Sequence, residues 1–309
     1  MIINTGQRTD IPAFYARWFI NRIRAGYVLV RNPYCPSLVT KFRLDPRLVD
    51  VIGFCTKNPR PMLPYLKELA PFGQFWYVSI TGYGRDLEPF VPPTDQVIED
   101  CKTLSRQVGA QALGWRYTPV IVNERYDLAH HIATFERIAK ALSGYCRLAV
   151  FGFLDIYPKL AKLHPELRDA KDEDKAKLAK AFKEIAERYG YDLRLCSKEK
   201  WLAEYGIDVA GCLRLSDYEI SRGSNLILKE KMQARRSFCS CLLSNDIGAY
   251  DSCLHLCSYC YANGSEEAIR KNVARHDEHS PLLLGQLGPE DKVREAKQES
   301  FLDRQITLF

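Results

Sequence analysis

Residues 253–261 read Cys253-Leu254-His255-Leu256-Cys257-Ser258-Tyr259-Cys260-Tyr261. The C-x3-C-x2-C spacing places three thiolates on one short loop. A closed structural zinc site takes four protein ligands, and a fully protein-capped iron–sulfur cluster takes four cysteines. Because three ligands leave one iron of a four-iron cluster open to another molecule, the spacing predicts a [4Fe–4S] cluster at Cys253, Cys257 and Cys260. The alternatives are a zinc site completed by His255 or a more distant cysteine, and buried free thiols.

This loop resembles the cluster loop of radical S-adenosylmethionine (SAM) enzymes, and most closely that of the spore photoproduct lyases. Their loop reads C-P-H-x-C-x-Y-C-Y, and only the proline differs here, where Leu254 stands. The resemblance implies a TIM-like (β/α) barrel, SAM bound at the open iron and an external electron donor. It also implies that one-electron reduction of SAM yields a 5′-deoxyadenosyl radical, and that Tyr259 lies beside the cofactor.

Two features depart from the radical SAM pattern. The glycine-glycine-acid element that usually binds SAM is not visible in its usual place. The cluster loop normally follows the first strand of the barrel, whereas here it lies near the C-terminus. The second departure predicts a barrel that is permuted relative to the usual one.

Nearly the whole chain is also similar to an uncharacterised bacterial family. The similarity rests on the cysteine-rich end and on the stretches Arg8-Thr9-Asp10-Ile11-Pro12-Ala13-Phe14-Tyr15, Thr56-Lys57-Asn58-Pro59 and Thr81-Gly82-Tyr83-Gly84. Because no activity is established for that family, this resemblance implies a fold and a cofactor but no substrate.

The length and composition suit one large α/β domain. The chain has 309 residues, 46% of them hydrophobic and 27% charged, and a (β/α) barrel typically needs about 250 residues. No apolar run approaches the about 18 residues of a membrane span, and no signal peptide opens the chain. We therefore expect a cytoplasmic protein with no membrane partner. In such a chain, 11 cysteines indicate metal or redox chemistry rather than disulfides.

Strands and helices alternate along the chain, which is the pattern of a parallel sheet with crossover helices. We expect strands at residues 1–5, 27–30, 49–54, 75–80, 112–122, 147–153, 192–195 and 211–215, and helices at 10–25, 62–70, 94–108, 127–142, 172–189 and 290–302. So many units favour a closed barrel over an open sheet. The expected organisation is a barrel over residues 1–235, a cysteine-rich cluster segment over 236–265, and a linker, helix and tail over 266–309.

Polar residues follow several of these strands, and in such barrels the active residues lie at the carboxyl ends of strands. We expect Arg8, Arg31, Lys57, Arg85 and Arg116 to converge there on a basic rim that suits a carboxylate or phosphate. The expected cofactor-binding residues beside Tyr259 are Arg8, Asp10, Arg31, Lys57, Asn58, Gly82, Gly84 and Arg116. Gly82-x-Gly84 alone is a weak phosphate-loop signal, and ordinary strand-to-helix turns are the alternative for each stretch.

A second group of cysteines comprises Cys196, Cys212, Cys239 and Cys241. Four thiolates from separate loops suit a second [4Fe–4S] cluster or a structural zinc ion. The alternative is that Cys196 and Cys212 are buried as small apolar side chains, a common role of free cysteine.

Four further residues are candidates for the chemical step. In the photoproduct lyases a cysteine in the pocket donates a hydrogen atom to a substrate radical, and Cys35 or Cys55, each near a strand end, could resemble it. Tyr83 and Tyr117 are candidates for radical relay. The alternative for both thiols is packing in the core.

The chain ends Asp303-Arg304-Gln305-Ile306-Thr307-Leu308-Phe309. Gln-x-x-Leu-Phe at a C-terminus resembles the peptide by which bacterial repair and replication enzymes bind the sliding clamp. The resemblance implies that Gln305, Leu308 and Phe309 contact the clamp, since a tail with one amide and two apolar anchors orders on docking. The alternative is that these side chains pack back on the body.

The lyase-like loop and the clamp-like tail both favour DNA as a partner. The net charge of +6, from 44 basic and 38 acidic residues, agrees with a polyanion partner. We therefore expect a radical SAM-type enzyme that repairs lesions or modifies bases in DNA, with the target base flipped out of the duplex. The alternatives are a radical SAM enzyme acting on a small anionic metabolite or a peptide, and a non-enzymatic, metal-stabilised adaptor associated with DNA.

Overall fold

The structure, a computed structural model, describes residues 1–228, 241–242 and 245–303. Its strands are β1 (Ile2–Asn4), β2 (Tyr27–Arg31), β3 (Leu38–Arg43), β4 (Val51–Thr56), β5 (Gly73–Ser79), β6 (Leu113–Val120), β7 (Leu148–Phe153), β8 (Asp192–Leu195), β9 (Asn245–Asp246) and β10 (Lys292–Glu295). Its α-helices are α1 (Ile11–Phe14), α2 (Ala16–Ala25), α3 (Thr94–Val108), α4 (Leu128–Leu142), α5 (Pro158–Leu163), α6 (Asp172–Tyr189), α7 (Leu215–Arg222) and α8 (Glu266–Val273). Short 3₁₀ helices cover Arg60–Leu69, Ala110–Ala112 and Lys200–Tyr205.

The central element is a seven-stranded sheet with the order β8-β7-β6-β5-β4-β1-β9, in which every pairing is parallel. β9 is the last of these seven strands in the chain, yet it pairs with β1, the first, where Asn245 lies opposite Ile3. Within the described residues, no pairing between β8 and β9 closes the sheet. The predicted α/β class and parallel sheet are thus confirmed, and closure into a barrel stays a prediction.

One face of the sheet carries the main core beneath the helices. Phe54 on β4 stacks on Trp76 of β5 with ring centroids 3.8 Å apart, and Phe135 of α4 stacks on Phe182 of α6 at 4.1 Å. Strands that are covered on both faces read as continuous apolar runs, which explains the sequence of β5. α6 buries the stripe that includes Phe182 and ends at Gly190, whose φ of 77° lies in the left-handed region that glycine favours.

The opposite face of the sheet is also covered. Phe75 and Tyr77 of β5 point there, because alternate strand residues face opposite sides. Tyr218 of α7 packs against Phe75 with ring centroids 5.9 Å apart, and Cys212 and Cys241 belong to the same buried cluster. The segment after β8, which includes α7, therefore covers this second face of the sheet.

A second, three-stranded sheet stands apart from the first and has the order β10-β3-β2. β2 and β3 form an antiparallel hairpin, and β10 adds to β3 in parallel. Three predictions are therefore wrong. Residues 27–30 do not join the parallel sheet, and residues 290–302 contain strand β10 rather than a helix. Residues 211–215 form no strand: the first four precede α7, and Leu215 begins it.

Two predicted helices differ in local geometry. The helix expected over residues 10–25 is interrupted at Tyr15, which has φ −129° and ψ 24° and separates α1 from α2. The Tyr15 hydroxyl donates to the carbonyl of Ser252 at 2.6 Å, so the break lets the ring reach the chain just before the cysteines. The helix expected over 62–70 is a 3₁₀ helix with Pro64 inside it, where an α-helical hydrogen bond would be lost.

The chain after α8 packs back against the second sheet. Leu282 is buried against β2 and β3, and the carbonyl of Pro281 accepts from the amide of Leu29 at 2.9 Å.

Across residues 1–228, 241–242 and 245–303, no helix has both the length and the apolar character that a membrane crossing requires.

Candidate functional site

The cysteine loop, residues 253–260, lies between β9 and α8. Its three thiols are half-buried, whereas His255 and Tyr259 are buried. Leu256 has a φ of 53°, which is a strained conformation for a bulky residue and persists only where the surroundings fix it. The fixed geometry of the loop therefore depends on the contacts that His255 and Tyr259 make.

Asp10 joins the cysteine loop to the ends of two strands. Its carboxylate caps α1 by accepting from the amide of Ala13 at 3.1 Å, and it accepts from the amide of Lys57 at 2.8 Å. The Nε2 of His255 donates to the same carboxylate at 3.0 Å. The segments after β1 and β4 and the cysteine loop thus meet at one buried side chain. The structure brings together Asp10 and Lys57, two of the predicted site residues.

Glu88 is a second anchor, and sequence reasoning missed it. This buried carboxylate accepts from Lys57 Nζ at 2.8 Å, from Thr81 Oγ1 at 2.5 Å and from the Tyr259 hydroxyl. Burial alone would raise the pKa of Glu88, but the ammonium of Lys57 and these hydrogen bonds together lower it. The only sequence signal was an acidic residue shortly after a strand, which does not reveal burial.

The three thiols lie in surroundings that disfavour a free thiolate. Burial raises the pKa of Cys253, Cys257 and Cys260, and for Cys257 the ammonium of Lys57 opposes that rise. A metal centre replaces the thiol protons and so removes this penalty. Among the residues that the structure describes, no three His, Cys, Asp or Glu side chains are grouped to hold a metal ion. Because a four-iron cluster is wider than one ion, the cluster at this loop stays a prediction.

A cavity of about 350 Å³ opens beside the loop. Cys257, Cys260 and Lys159 line it together with Asn263, and the exposed side chain of Phe90 lies at its edge. Asn263 is buried and donates through Nδ2 to the Cys253 carbonyl at 2.8 Å. Its Oδ1 is buried with no hydrogen-bond partner in the described part of the chain. Asn263 thus combines a contact that holds the start of the loop with a buried amide oxygen that none of the described residues pairs.

The expected basic rim is not what the structure shows. Arg8 is held in an ion pair with the buried Asp246 at 2.8 Å, and Lys57 is paired with Glu88. Arg31 lies on β2 of the second sheet, where its Nη2 donates to Asp291 at 2.7 Å, so it does not share a rim with the others. The exposed Arg85 donates to the carbonyl of Pro89. The prediction of five converging cations is wrong, because their partners were not recognisable from the sequence.

The predicted glycine loop is explained by packing within the protein. Gly82 has a φ of 74°, and a Cβ there would lie 2.6 Å from Cγ2 of Thr134. The amide of Gly84 donates to the hydroxyl of Tyr126 at 2.9 Å. Asn58, also predicted to bind the cofactor, donates its amide to Thr56 Oγ1 at 2.9 Å. These backbone groups are already engaged.

The candidates for the chemical step lie in different places. Cys35 is exposed in the hairpin between β2 and β3, so its predicted place at the end of a strand of the parallel sheet is wrong. Cys55 lies on β4 with its sulfur 4.0 Å from Ser79 Oγ. Tyr83 is beside the cysteine loop, its ring centroid 6.2 Å from that of Tyr259. Tyr117 is buried under the helices, and its hydroxyl contacts Nδ1 of His131 at 2.8 Å.

The second cysteine group is gathered around a guanidinium. Arg116 donates through Nη2 to Cys196 Sγ at 3.2 Å and through Nη1 to Cys212 Sγ at 3.7 Å. The sulfurs of Cys212 and Cys241 are 3.0 Å apart. Arg116 therefore lies with the second group rather than with the cysteine loop.

Several predictions fall on residues outside those described. They concern Cys239, the fourth cysteine of the second group, and the clamp-like tail with Gln305, Leu308 and Phe309. A second metal centre and clamp binding both stay predictions.

A family model described as a domain of unknown function (DUF1848) matches residues 2–262. The match begins at β1 and extends just past Cys260, so it includes the parallel sheet together with the cysteine loop. No curated protein matches the chain.

Proposed function

We propose a function for this chain, which belongs to the DUF1848 family: it is a radical SAM-type iron–sulfur enzyme. The observation that carries the proposal is the cysteine loop, which Asp10 and Glu88 hold over the carboxyl ends of parallel strands. That is the end of an α/β sheet at which active residues collect.

The strand order supports a permuted barrel. β9 precedes the cysteine loop and pairs with β1, so the sheet reads β9-β1-β4-β5-β6-β7-β8 from one edge to the other. In that order the cysteine loop follows the first strand, as it does in the usual radical SAM barrel. A last strand that returns beside the first is also what a closed barrel requires.

The donor set of the loop fits a cluster with one open iron. Cys253, Cys257 and Cys260 supply three sulfurs, and the described residues place no fourth cysteine on the loop. Held by these three cysteines, such a cluster would supply the electron for reductive cleavage of SAM, and so the 5′-deoxyadenosyl radical chemistry that takes a hydrogen atom from a substrate.

The protein's own residues have three roles in this proposal. Asp10 and His255 fix the position of the loop. On the side of the loop that faces the strand ends, the charges of Lys57 and Glu88 cancel in an ion pair, and Tyr259 donates a hydrogen bond to Glu88. On the other side, the cavity gives access to Cys257 and Cys260. There Asn263 holds the start of the loop by donating to the Cys253 carbonyl at 2.8 Å.

DNA is the substrate class that we propose, with lesion repair or base modification as the reaction. The net charge of +6 and the clamp-like residues Gln305, Leu308 and Phe309 support it. Arg8, Arg31 and Lys57 are paired with carboxylates and are therefore less available to any anion. The choice of DNA over a small anionic metabolite or a peptide thus rests on the clamp-like tail. A closed barrel and an electron donor are further parts of the proposal.

The decisive experiment is anaerobic reconstitution followed by iron and sulfide analysis and electron paramagnetic resonance, before and after addition of SAM. We expect about four irons and four sulfides at the loop, a spectrum that changes with SAM, and 5′-deoxyadenosine formed by the reduced protein with damaged DNA. Replacing Cys253, Cys257 and Cys260 with alanine should abolish all three, whereas Cys101→Ala, in the helix-covered core, should abolish none. Iron without SAM cleavage would instead indicate the non-enzymatic adaptor, and absence of iron would refute the proposal.

A further inference from the structure

The guanidinium of Arg116 lies on the face of the sheet that α7 covers, and its neighbours there are sulfur atoms. It donates to Cys196 and Cys212, and it lies 5.0 Å from the ring centroid of Tyr77. Within the residues that the structure describes, no carboxylate forms an ion pair with it. Arg116 is half-buried, and a charge partly withdrawn from water is most stable beside groups that accept its hydrogen bonds, as these sulfurs do. A cation beside a thiol is the setting in which reactive cysteines occur.

Cys212 is the central sulfur of the group. It hydrogen-bonds with both Cys196 and Cys241, and these contacts with burial raise the pKa of Cys212. Its amide also donates to Cys241 Sγ at 3.3 Å. Cys196 differs from both neighbours because it is half-buried and closest to the guanidinium. Cys196 is thus the sulfur best placed to react with an oxidant, and Cys212 is the thiol best placed to form a disulfide with the oxidised Cys196.

The spacing of the sulfurs is closer than a zinc site requires. Two sulfurs on a tetrahedral zinc, each about 2.3 Å from the metal, are about 3.8 Å apart. The 3.0 Å between Cys212 and Cys241 is shorter than that, and about 1 Å of approach would reach the length of a disulfide bond. The geometry favours sulfur–sulfur chemistry over ligation of a zinc ion.

We propose that Cys196, Cys212 and Cys241 form a redox-active thiol centre in which Cys212 is one half of a reversible disulfide. The oxidant class is a peroxide, and hydrogen peroxide is small enough to reach a half-buried sulfur. The Cys196 thiolate attacks one peroxide oxygen and becomes a sulfenic acid while hydroxide leaves and takes up a proton as water. The Cys212 sulfur then attacks Cys196 Sγ, the S–S bond forms, and a second water leaves. In sum, two thiols lose two electrons and two protons to one peroxide.

Exchange within the group extends the reaction to the third sulfur. Cys241 can attack Cys212 of the first disulfide and release Cys196 as a thiol, with no net change in oxidation state. Each disulfide therefore contains Cys212. A dithiol reductant reverses the reaction and carries away the two electrons. None of these sulfurs belongs to residues 253–260, so this centre is independent of the proposed cluster.

The test is peroxide treatment of the full-length native protein, followed by alkylation under denaturing conditions and mass spectrometry of disulfide-linked peptides. We expect a Cys196–Cys212 or Cys212–Cys241 linkage that dithiothreitol removes. Cys101 and Cys146, buried thiols of the helix-covered core, are the internal control and should stay reduced. Arg116→Gln should slow formation of the linkage about tenfold, because the cation that contacts the Cys196 sulfur is lost.

Two further variants test the role of Cys212 even if Arg116→Gln does not fold. Cys212→Ser should eliminate every linkage within the group, whereas Cys241→Ser should leave the Cys196–Cys212 linkage. The proposal is overturned if native protein forms no linkage that contains Cys212. It is also overturned if these thiols are protected by a stoichiometric metal that is lost only when Cys212 is replaced.

Discussion

The carboxylate of Asp10 accepts a hydrogen bond from Nε2 of His255 at 3.0 Å, although 245 residues separate them in the chain. This contact ties the turn after the first strand to the cysteine loop. Both side chains are buried, so the hydrogen bond is shielded from water and is electrostatically stronger than the same contact on the surface would be.

Asp10→Ala should destabilise the protein by about 3 kcal/mol, since it removes a helix cap and leaves the Lys57 amide and His255 without their acceptor. The matched control is Asp127→Ala, because Asp127 caps α4 through the amide of His130 at 2.7 Å. That change should cost about 1 kcal/mol. Urea denaturation measures both values. Equal losses would mean that the contacts with Lys57 and His255 contribute nothing.

Lys57→Met should cost about 3 to 5 kcal/mol, because it leaves the Glu88 carboxylate buried and unpaired. Lys57→Met combined with Glu88→Gln should recover much of that loss, since no charge is then stranded. Arg24→Met, which breaks the exposed pair with Glu68, should have little effect. The measurement is chemical denaturation of all three variants. A double variant no more stable than Lys57→Met would contradict the role given to this pair.

The stability of the fold should fall as the pH falls from about 6.5 to about 4, because of His131. Burial and, to a smaller extent, neighbouring His130 together lower the pKa of this side chain from 6.5 to about 4, against the opposing effects of the Ile121 carbonyl and Asp127. The folded state therefore binds fewer protons than the unfolded state in this interval. The contribution of His131 is complete above pH 6.5, and about 3 kcal/mol is lost by pH 4.

Denaturation midpoints across this interval check the pH prediction. His131→Gln keeps a neutral donor and acceptor between Tyr117 and the Ile121 carbonyl and should flatten the pH dependence. His279→Gln, at a side chain that is 78% exposed, should leave it unchanged. A steep dependence that survives in His131→Gln would assign the effect to another group.

Replacing Gln305, Leu308 and Phe309 with alanine should abolish binding to a bacterial sliding clamp and leave the melting temperature unchanged. Size-exclusion chromatography with purified clamp and a thermal melt test the two parts separately. A control that replaces Thr307 with alanine should bind normally, because Thr307 is not one of the anchors in the resembling peptide. A lower melting temperature with unchanged binding would favour a tail packed on the body.

The parallel sheet was predictable because its strands carry their own signals. Strands such as β5 and β7 are continuous apolar runs between turns, and α6 has a regular buried stripe. β10 was not predictable, since all four of its residues are exposed and it is a strand only through pairing with β3. Partners more than 200 positions away in the sequence decide such a segment, as the pairing of Val293 with Val39 shows.

The candidate site was predictable in part. Spacing identified the cysteine loop, and turn chemistry after strands identified Asp10 and Lys57. Glu88 escaped notice because an isolated acidic residue gives no sign that it will be buried under a lysine and a tyrosine. The basic rim failed for the same reason, since charge alone does not reveal that Arg8 already has Asp246 as a partner.

The place of the cysteine loop after β9 has a consequence for how the protein is made. A ribosome translates β1 and the strands β4 to β8 before it reaches Cys253, and domains begin to fold while they emerge. Most of the scaffold can thus form before the first sulfur of the loop exists. Any metal centre held by these three cysteines would therefore be built onto a sheet whose other strands are already in place.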